Sequence, residues 1–494
     1  MAAAIILTLF ALVIAYVFYY YWNVSKYPRG PRPLPLLGNL LSFEFKDSHG
    51  YLQKLSETYG DVFTIFLPDP TICIMSYEGI KDAFVTRADD YVGRPGGYPD
   101  NLFQCKENGG IIFSQGEEWK DERRTSLHIL RDFGMGKNEM EIQVRASMDD
   151  CVQHVKSLCA GNKPVNFRWP LQLFVSNVIT NVLTSIRCKY SDSDNLKYFC
   201  NLLTEEFMKM KENKLIFFPR LIPGFEKLPY LGHKAVGHLR SLTKKMYDYV
   251  EKDMKSALEG YDESMEPENF CQSYYQKKMR EGTYKEENLL NVCMDFYLAG
   301  METTSTTLRW SILYLAKHQD VQNKMRAEIE ATIGHNFPTL ADKPRLPYSN
   351  AVINEIQRKA NIISMNVVHR AVRDTSVLKH SIPANSLVIA QIHEVLRASK
   401  VFVDSDKFMP ERFLEEDGKT TRKDVLEQLV PFSMGKRQCA GEGLARLELF
   451  LGAVSLVQNF KLEEHPDHPI TLEPINAGVL LPQDQDIIVT PLVY

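Results

Sequence analysis

The stretch Pro431-Phe432-Ser433-Met434-Gly435-Lys436-Arg437-Gln438-Cys439-Ala440-Gly441-Glu442 decides how the rest of the 494-residue chain is read. A single cysteine stands in a loop, with Gly441 two residues after it, Arg437 two before and Gly435 four before. A helical pattern begins immediately behind it. Glycines let the backbone fold tightly around a sulfur, and backbone N–H groups aimed at that sulfur hold it as an anion. With no second Cys or His close by, the loop is not a zinc knuckle. The plain alternative is a buried structural cysteine at a helix start. Against that alternative stands the complete pattern Phe432-x-x-Gly435-x-Arg437-x-Cys439-x-Gly441, and the other elements of the chain test it independently.

Composition sets the bounds. Hydrophobic content of 44% and charged content of 24% are ordinary for a folded protein. A net charge of −4 gives no global basic field, so nucleic acid is not an expected partner and any electrostatic docking must use a local patch. The nine cysteines are odd in number and scattered without paired spacing, which reads as a reducing compartment with no disulfide framework. Met1 to Trp22 carries no charged side chain, and a helix needs about 20 apolar residues to cross a bilayer. Tyrosines and Trp22 suit a headgroup belt, followed at once by Lys26, Arg29 and Arg32. A cleaved signal peptide is disfavoured, since no basic region precedes the run and no small-residue site closes it. The basic flank then puts the N-terminus in the lumen and the remainder in the cytosol.

The chain is expected to divide into an anchor (1–24), a proline-rich hinge (25–48) and one large catalytic domain (49–494). The hinge stretch, Pro28 to Asn39, holds too many prolines for a helix. A helix to Tyr59 precedes short β-like runs, Val62–Leu67 and Thr71–Met75. After Glu78 nearly all long patterns are helical, with strand-like segments from Val367 to Ile392 and at the C-terminus. The expected fold is mainly α with small antiparallel β-sheets.

Further constellations follow. Trp119 and Arg123 are four apart on one helix face, an N–H and a guanidinium suited to anionic oxygens. Asp295-Phe296-Tyr297-Leu298-Ala299-Gly300-Met301-Glu302-Thr303-Thr304 lies inside a helical pattern from about Glu287 to His318, where Ala299-Gly300 removes bulk and an acid and a hydroxyl follow. Glu355 and Arg358 share a helix face, while Glu394-Val395-Leu396-Arg397 repeats their spacing and reads as surface. Lys214 to Phe225 is apolar, aromatic, broken by prolines and too short to span a bilayer.

Taken together, the cysteine loop, the Ala299–Thr304 segment, Trp119/Arg123, Glu355/Arg358 with Arg412, and the proline hinge resemble the microsomal cytochromes P-450, the haem-thiolate monooxygenases. The resemblance covers essentially the whole chain. It implies a single large cytochrome P-450 fold domain behind one transmembrane helix, and haem b (iron protoporphyrin IX) ligated by Cys439. Phe432, Gly435 and Gly441 would shape the loop, and Arg437, Trp119, Arg123, Arg94 and His369 would meet the propionates. It implies Ala299 and Gly300 as the oxygen groove, with Thr303 and Glu302 serving proton delivery to the co-substrate dioxygen. Glu355, Arg358 and Arg412 would be structural. Electrons would come from NADPH through NADPH–cytochrome reductase, with cytochrome b5 as a second donor the resemblance allows. The reductase would dock near Lys120, Arg124, Arg131, Phe133, Met135, Lys137 and Lys436. The substrate would be a lipophilic small molecule (fatty acid, steroid or xenobiotic), faced by Phe296, Ala299, Ile363, Met365 and Val479. The location implied is the endoplasmic reticulum membrane, single-pass, with a cytosolic catalytic domain.

The chain departs from the family at three places. Arg29 replaces a usual hinge proline, no proline precedes His369 in Ile362–Val368, and Ala398–Asp404 lacks an Asp-Pro pair. Rival readings are a haem-thiolate isomerase or dehydratase, which often lacks the acid–threonine pair, a haem sensor, and a membrane-anchored structural protein.

Overall fold

Val62–Leu67 and Asp69–Ile74 pair tightly with Leu67 opposite Asp69, and nearly every residue of the first strand is buried. In the computed structural model, which describes residues 1–44, 47–133, 138–161, 163–213, 215–216 and 218–492, they are β1 and β2. The further strands are β3 (Val165–Asn166), β4 (His369–Arg370), β5 (Thr375–Val377), β6 (His380–Ile382), β7 (Leu387–Ala390), β8 (Phe460–Glu463), β9 (Ile475–Asn476), β10 (Leu480–Leu481) and β11 (Asp486–Pro491). The longer helices are α1 (Ala2–Val24), α2 (Ser48–Tyr59), α3 (Gly116–Asp132), α4 (Asn138–Leu158), α5 (Arg168–Thr184), α6 (Asp194–Glu212), α7 (His238–Leu258), α8 (Phe270–Arg280), α9 (Glu286–Lys317), α10 (Gln319–Thr332), α11 (Pro347–Ala360) and α12 (Glu442–Asn459). The expected mainly-α fold with small sheets is what forms.

Two compact units interleave along the chain. Met1–Pro95, Ile363–Ser405 and Phe432–Cys439 make the first, and Gly96–Ile362, Asp406–Pro431 and Ala440–Tyr494 the second.

The first unit is built on a sheet of order β1-β2-β7-β4. Its ladders are antiparallel except β2 with β7, where Thr71 faces Leu387 in parallel register. Phe63, Ile65 and Cys73 pack with Leu52 of α2 and Met75 on one face of this sheet. Asp47 starts α2 by accepting from the Gly50 N–H at 3.0 Å, satisfying an otherwise orphaned donor. Helix α1 buries none of its 23 residues and, at about 1.5 Å per residue, is long and apolar enough to cross a bilayer. Its end is tied to the hinge: the hydroxyls of Tyr20 and Tyr21 donate to the carbonyls of Leu34 (3.1 Å) and Pro33 (3.2 Å).

The second unit is organised by helices apolar on every side, the composition that demands burial all round. In α5 every residue from Pro170 to Thr184 except Asn181 is buried, and in α12 every residue from Leu447 to Gln458. Close approach is set by glycines. A Cβ on Gly300 of α9 would meet Ile179 Cδ1 of α5 at 2.6 Å, and one on Gly452 of α12 would meet Leu308 Cδ2 at 3.0 Å. In the apolar stretch before Phe225, Ile216 is buried while Phe218 and Ile222 are exposed; Lys214 and Phe217 lie outside the described residues.

Candidate active site

In the first unit the cysteine loop closes on itself. Gly435–Arg437 form one 3-10 turn, the Gln438 N–H donates to the Gly435 carbonyl at 3.1 Å, and the Cys439 N–H to the Phe432 carbonyl at 3.1 Å. Gly435 has φ +79°, and a Cβ there would sit 1.7 Å from the Phe84 carbonyl oxygen, so only glycine fits. The Cys439 residue itself is exposed.

Three cationic or imidazole side chains are buried around this loop. Arg437 donates through Nε and Nη2 to the Val92 carbonyl (3.0 and 2.8 Å). Arg94 donates through Nη1 to the carbonyls of Val367 (3.3 Å) and Val368 (2.9 Å). His369 donates from Nδ1 to the Tyr91 carbonyl at 2.7 Å, and its ring stacks on Phe84 with centroids 4.0 Å apart. Burial, together with the charges of Arg94 and Arg437, holds its pKa well below the ordinary value. His369 is therefore a neutral ring in a positive field. A carboxylate brought nearby would raise that pKa again. The missing proline before His369 coincides with Asn366 at φ +57°, whose side-chain amide donates to Ser433 Oγ at 2.9 Å.

In the second unit, α9 carries the other half of the expected chemistry. From Asn291 to Ala316 every residue is buried except Phe296, Ala299, Gly300 and Thr303. These are spaced three, four and seven apart and so form one open stripe. The Thr303 hydroxyl donates to the Ala299 carbonyl at 2.7 Å. Glu302, although next in sequence, faces α5. It accepts from Gln172 Nε2 at 2.8 Å and from Thr306 Oγ1 at 3.3 Å. Burial raises its pKa, tempered by Arg309 and Arg168, both of which pair with the half-exposed Asp484 (2.6 and 3.2 Å). The structure does not bring the side chains of the expected acid–threonine pair together. Gly300 likewise serves the α5 contact as much as any oxygen groove.

On α3, Trp119 is buried and Arg123 half-buried on the same side. The helix is braced from α8, where buried Lys278 pairs with Asp121 (2.5 Å) and the Tyr274 hydroxyl donates to Glu122 at 2.8 Å. Glu355 is fully buried between Arg358 (2.7 and 2.9 Å) and Arg412 (3.2 Å), and also accepts from the Met409 N–H, as the sequence predicts. Glu394, expected on the surface, is half-buried on the short helix Ile392–Ala398. Of the expected substrate contacts, Met365 is partly buried against the Phe63/Ile65 cluster, and Val479 is buried with Ala477 and Leu481. Phe296 meets Phe270 edge-on at 5.3 Å.

Sequence reasoning left three functional neighbours unassigned. Phe84 has no local signal at all. Gln172 is a polar residue in an apolar run, the one hint it offered. Asp295 stood in the quoted α9 segment and turns out to be buried, its Oδ2 accepting the N–H groups of Ile111 (2.5 Å) and Ile112 (3.0 Å). Burial pushes it up to about 7.

The residues present fit a haem. The loop offers an exposed thiol, the Arg94/Arg437 field suits carboxylates, and Gly441 has an ordinary φ of −97° with no atom within 4 Å of an added Cβ. Glycine at 441 is therefore not required by the protein's own packing or backbone, and the open space over it has room for a planar group. The comparisons agree. Residues 28–489 match the family Cytochrome P450. The chain is 34% identical to cytochrome P450 2C26 of Mesocricetus auratus over 95% of both chains. It is 33% identical to cytochrome P450 2C25 of the same species over 99% of both, and 34% identical to cytochrome P450 2C5 of Oryctolagus cuniculus over 95% of both. Such membership brings haem b, dioxygen, NADPH electrons through a reductase, lipophilic substrates and single-pass anchoring in the endoplasmic reticulum membrane. The chain belongs to the cytochrome P450 family and is a haem-thiolate monooxygenase.

Proposed function

We propose that Cys439 would hold the haem iron through its thiolate and that the open stripe of α9 is the face at which oxygen and substrate are handled. The observation that carries this reading is the confinement of α9's openings to Phe296, Ala299, Gly300 and Thr303. When bound, thiolate-ligated haem supplies the electron density that favours O–O cleavage. The chain's own residues do the rest. Arg94 and Arg437 would present charge to the propionates, His369 would join them if a carboxylate raised its pKa, and Trp119 with Arg123 would offer an N–H and a guanidinium. Ala299 keeps the stripe shallow. Thr303 holds a proton on its hydroxyl at the open face. Glu302, whose protonated form burial favours, delivers protons by turning away from Gln172, and the Arg309–Asp484 pair connects its surroundings to solvent.

We assign residues 1–24 to the anchor, 25–48 to the hinge and 49–494 to the catalytic domain. The reductase docks through Lys120, Arg124 and Arg131 of the second unit and through Lys436 of the first, and cytochrome b5 competes with it. Three of these cations carry acidic neighbours, Glu117, Asp121 and Asp89, so docking exchanges ion pairs and weakens with salt. Phe133 is half-buried just past α3, while Met135 and Lys137 lie outside the described residues.

The test is the absorption spectrum of the reduced, carbon-monoxide-bound protein. Cys439→Ser should lose the thiolate-type Soret band while bound haem is still detected; a retained band overturns the ligand assignment. Thr303→Ala should keep that band, lower product formed per NADPH by about ten-fold and divert the electrons into hydrogen peroxide. Unchanged coupling would remove Thr303 from the proton path.

A further inference from the structure

A cleft of about 340 Å³ lies between the segment Tyr98–Cys105 and α7, away from the stripe on α9. One wall holds Tyr98, Leu102 and Cys105, the other Arg240, Lys244 and Tyr247, which are four and three residues apart and so share one face of α7. Arg240 Nη2 donates to the Tyr98 hydroxyl, and its guanidinium lies over the Tyr98 ring at 5.6 Å. Neither Arg240 nor Lys244 has a carboxylate partner among the described residues, whereas Lys255 further along the same helix pairs with Glu251 and Glu286. Behind the same wall Thr243 donates to Glu206 at 3.3 Å, but that carboxyl is buried and pushed up to about 8, so it brings little negative charge at neutral pH. Leu102 and the faces of Tyr98 and Tyr247 supply apolar surface beside the two charges.

We propose that this cleft binds an amphiphilic oxyanion, its charged head held by Arg240 and Lys244 and its apolar part laid against Leu102 and the tyrosine rings. An ammonium and a guanidinium one helical turn apart match a carboxylate or phosphate head, and the unpaired charges are otherwise a liability of mutual repulsion. Occupancy would brace a segment already laced to the scaffold. The Tyr247 hydroxyl donates to the Phe103 carbonyl at 2.9 Å, the Cys105 N–H reaches Asn291 of α9 at 3.0 Å, and Asp295 holds Ile111 and Ile112. The site is thus mechanically joined to α9 while chemically separate from its open stripe.

The test uses full-length, haem-loaded protein in detergent, with the catalytic face occupied by a haem-coordinating azole. It is titrated calorimetrically with decanoate, with decanol and with dihexanoyl phosphatidate. One decanoate or one phosphatidate should bind, decanol should not, and Arg240→Gln with Lys244→Gln should weaken the anion by about ten-fold or more at unchanged haem content. Variant-sensitive binding of decanoate identifies a free carboxylate as the natural source, and of phosphatidate alone a lipid headgroup. The charge-conserving pair Arg240→Lys with Lys244→Arg should bind within about three-fold of wild type, which separates lost charge from lost fold. Equal binding of decanol, anion binding unaffected by the double Gln variant, or loss in the charge-conserving pair as large as in the Gln pair would each overturn the proposal.

Discussion

Each of the two units buries a pair of arginines, and the pairs differ in what receives them. Arg358 and Arg412 enclose the carboxylate of Glu355, with further bonds to the Lys407 carbonyl. Arg94 and Arg437 donate to the carbonyls of Val367, Val368 and Val92, which are neutral acceptors. A carbonyl satisfies an N–H but leaves the charge, and the pKa of His369, lowered first by burial, is lowered further by Arg94 and Arg437. Burial of an arginine therefore says little about its task; the charge of its acceptor says more. The first pair is finished within the chain and holds the segment Lys407–Phe413 to α11. The second is poised for carboxylates from outside, as haem propionates would be. Asp295 makes the converse case, a buried carboxylate held by neutral amides, and it is displaced towards its protonated form.

The largest expected effect is at the closed cluster. Glu355→Gln leaves two buried guanidiniums without a counter-charge and should destabilise the protein by about 3–5 kcal/mol, read by urea titration of the full-length protein. A loss below about 1 kcal/mol would mean that the carboxylate is not what neutralises the pair.

Next is Asp295. Its pKa is raised from the ordinary 3.8 to about 7, so the folded state binds the proton more tightly than the unfolded. This group therefore makes stability fall as pH rises from about 4 to about 7, with no further change above, by on the order of 2–4 kcal/mol. Asp295→Asn should flatten that slope in urea titrations at pH 5 and pH 7. A variant with the wild-type slope would show that Asp295 titrates normally.

The smallest effect on stability is expected at the open cluster. Arg437→Met should change the stability of the haem-free chain by about 1 kcal/mol or less, since the Val92 carbonyl it donates to is neutral, but weaken haem retention by about ten-fold in transfer to an acceptor protein. Destabilisation as large as that of Glu355→Gln would erase the distinction between the two pairs.

Much of the candidate site was legible because it depends on local spacing. The loop Phe432–Gly441 carries its requirements in sequence: the left-handed φ of Gly435 and its approach to Phe84 admit no side chain. The long helix expected from about Glu287 to His318 runs from Glu286 to Lys317 because its apolar residues continue without a breaker. The Glu355–Arg358 spacing became a real ion pair, whereas the same spacing at Glu394–Arg397 lies on a short helix elsewhere.

Less legible was anything that depends on which neighbour a side chain meets. Glu302 and Thr303 are adjacent in the text, yet about 100° of helical rotation sends one to Gln172 of α5 and the other to the open stripe. Met365 and Val479 are apolar enough for substrate contact, and packing drew them into separate clusters. Arg240 and Lys244 look like any solvated helix cations until the segment Tyr98–Cys105 is folded against them. The sequence by itself determined the ligand loop, the apolar anchor and the family, because each is written in contiguous spacing. Only the tertiary structure decided which acid faces which helix, which arginines keep their charge and where a cleft forms, because those depend on partners dozens to hundreds of residues away.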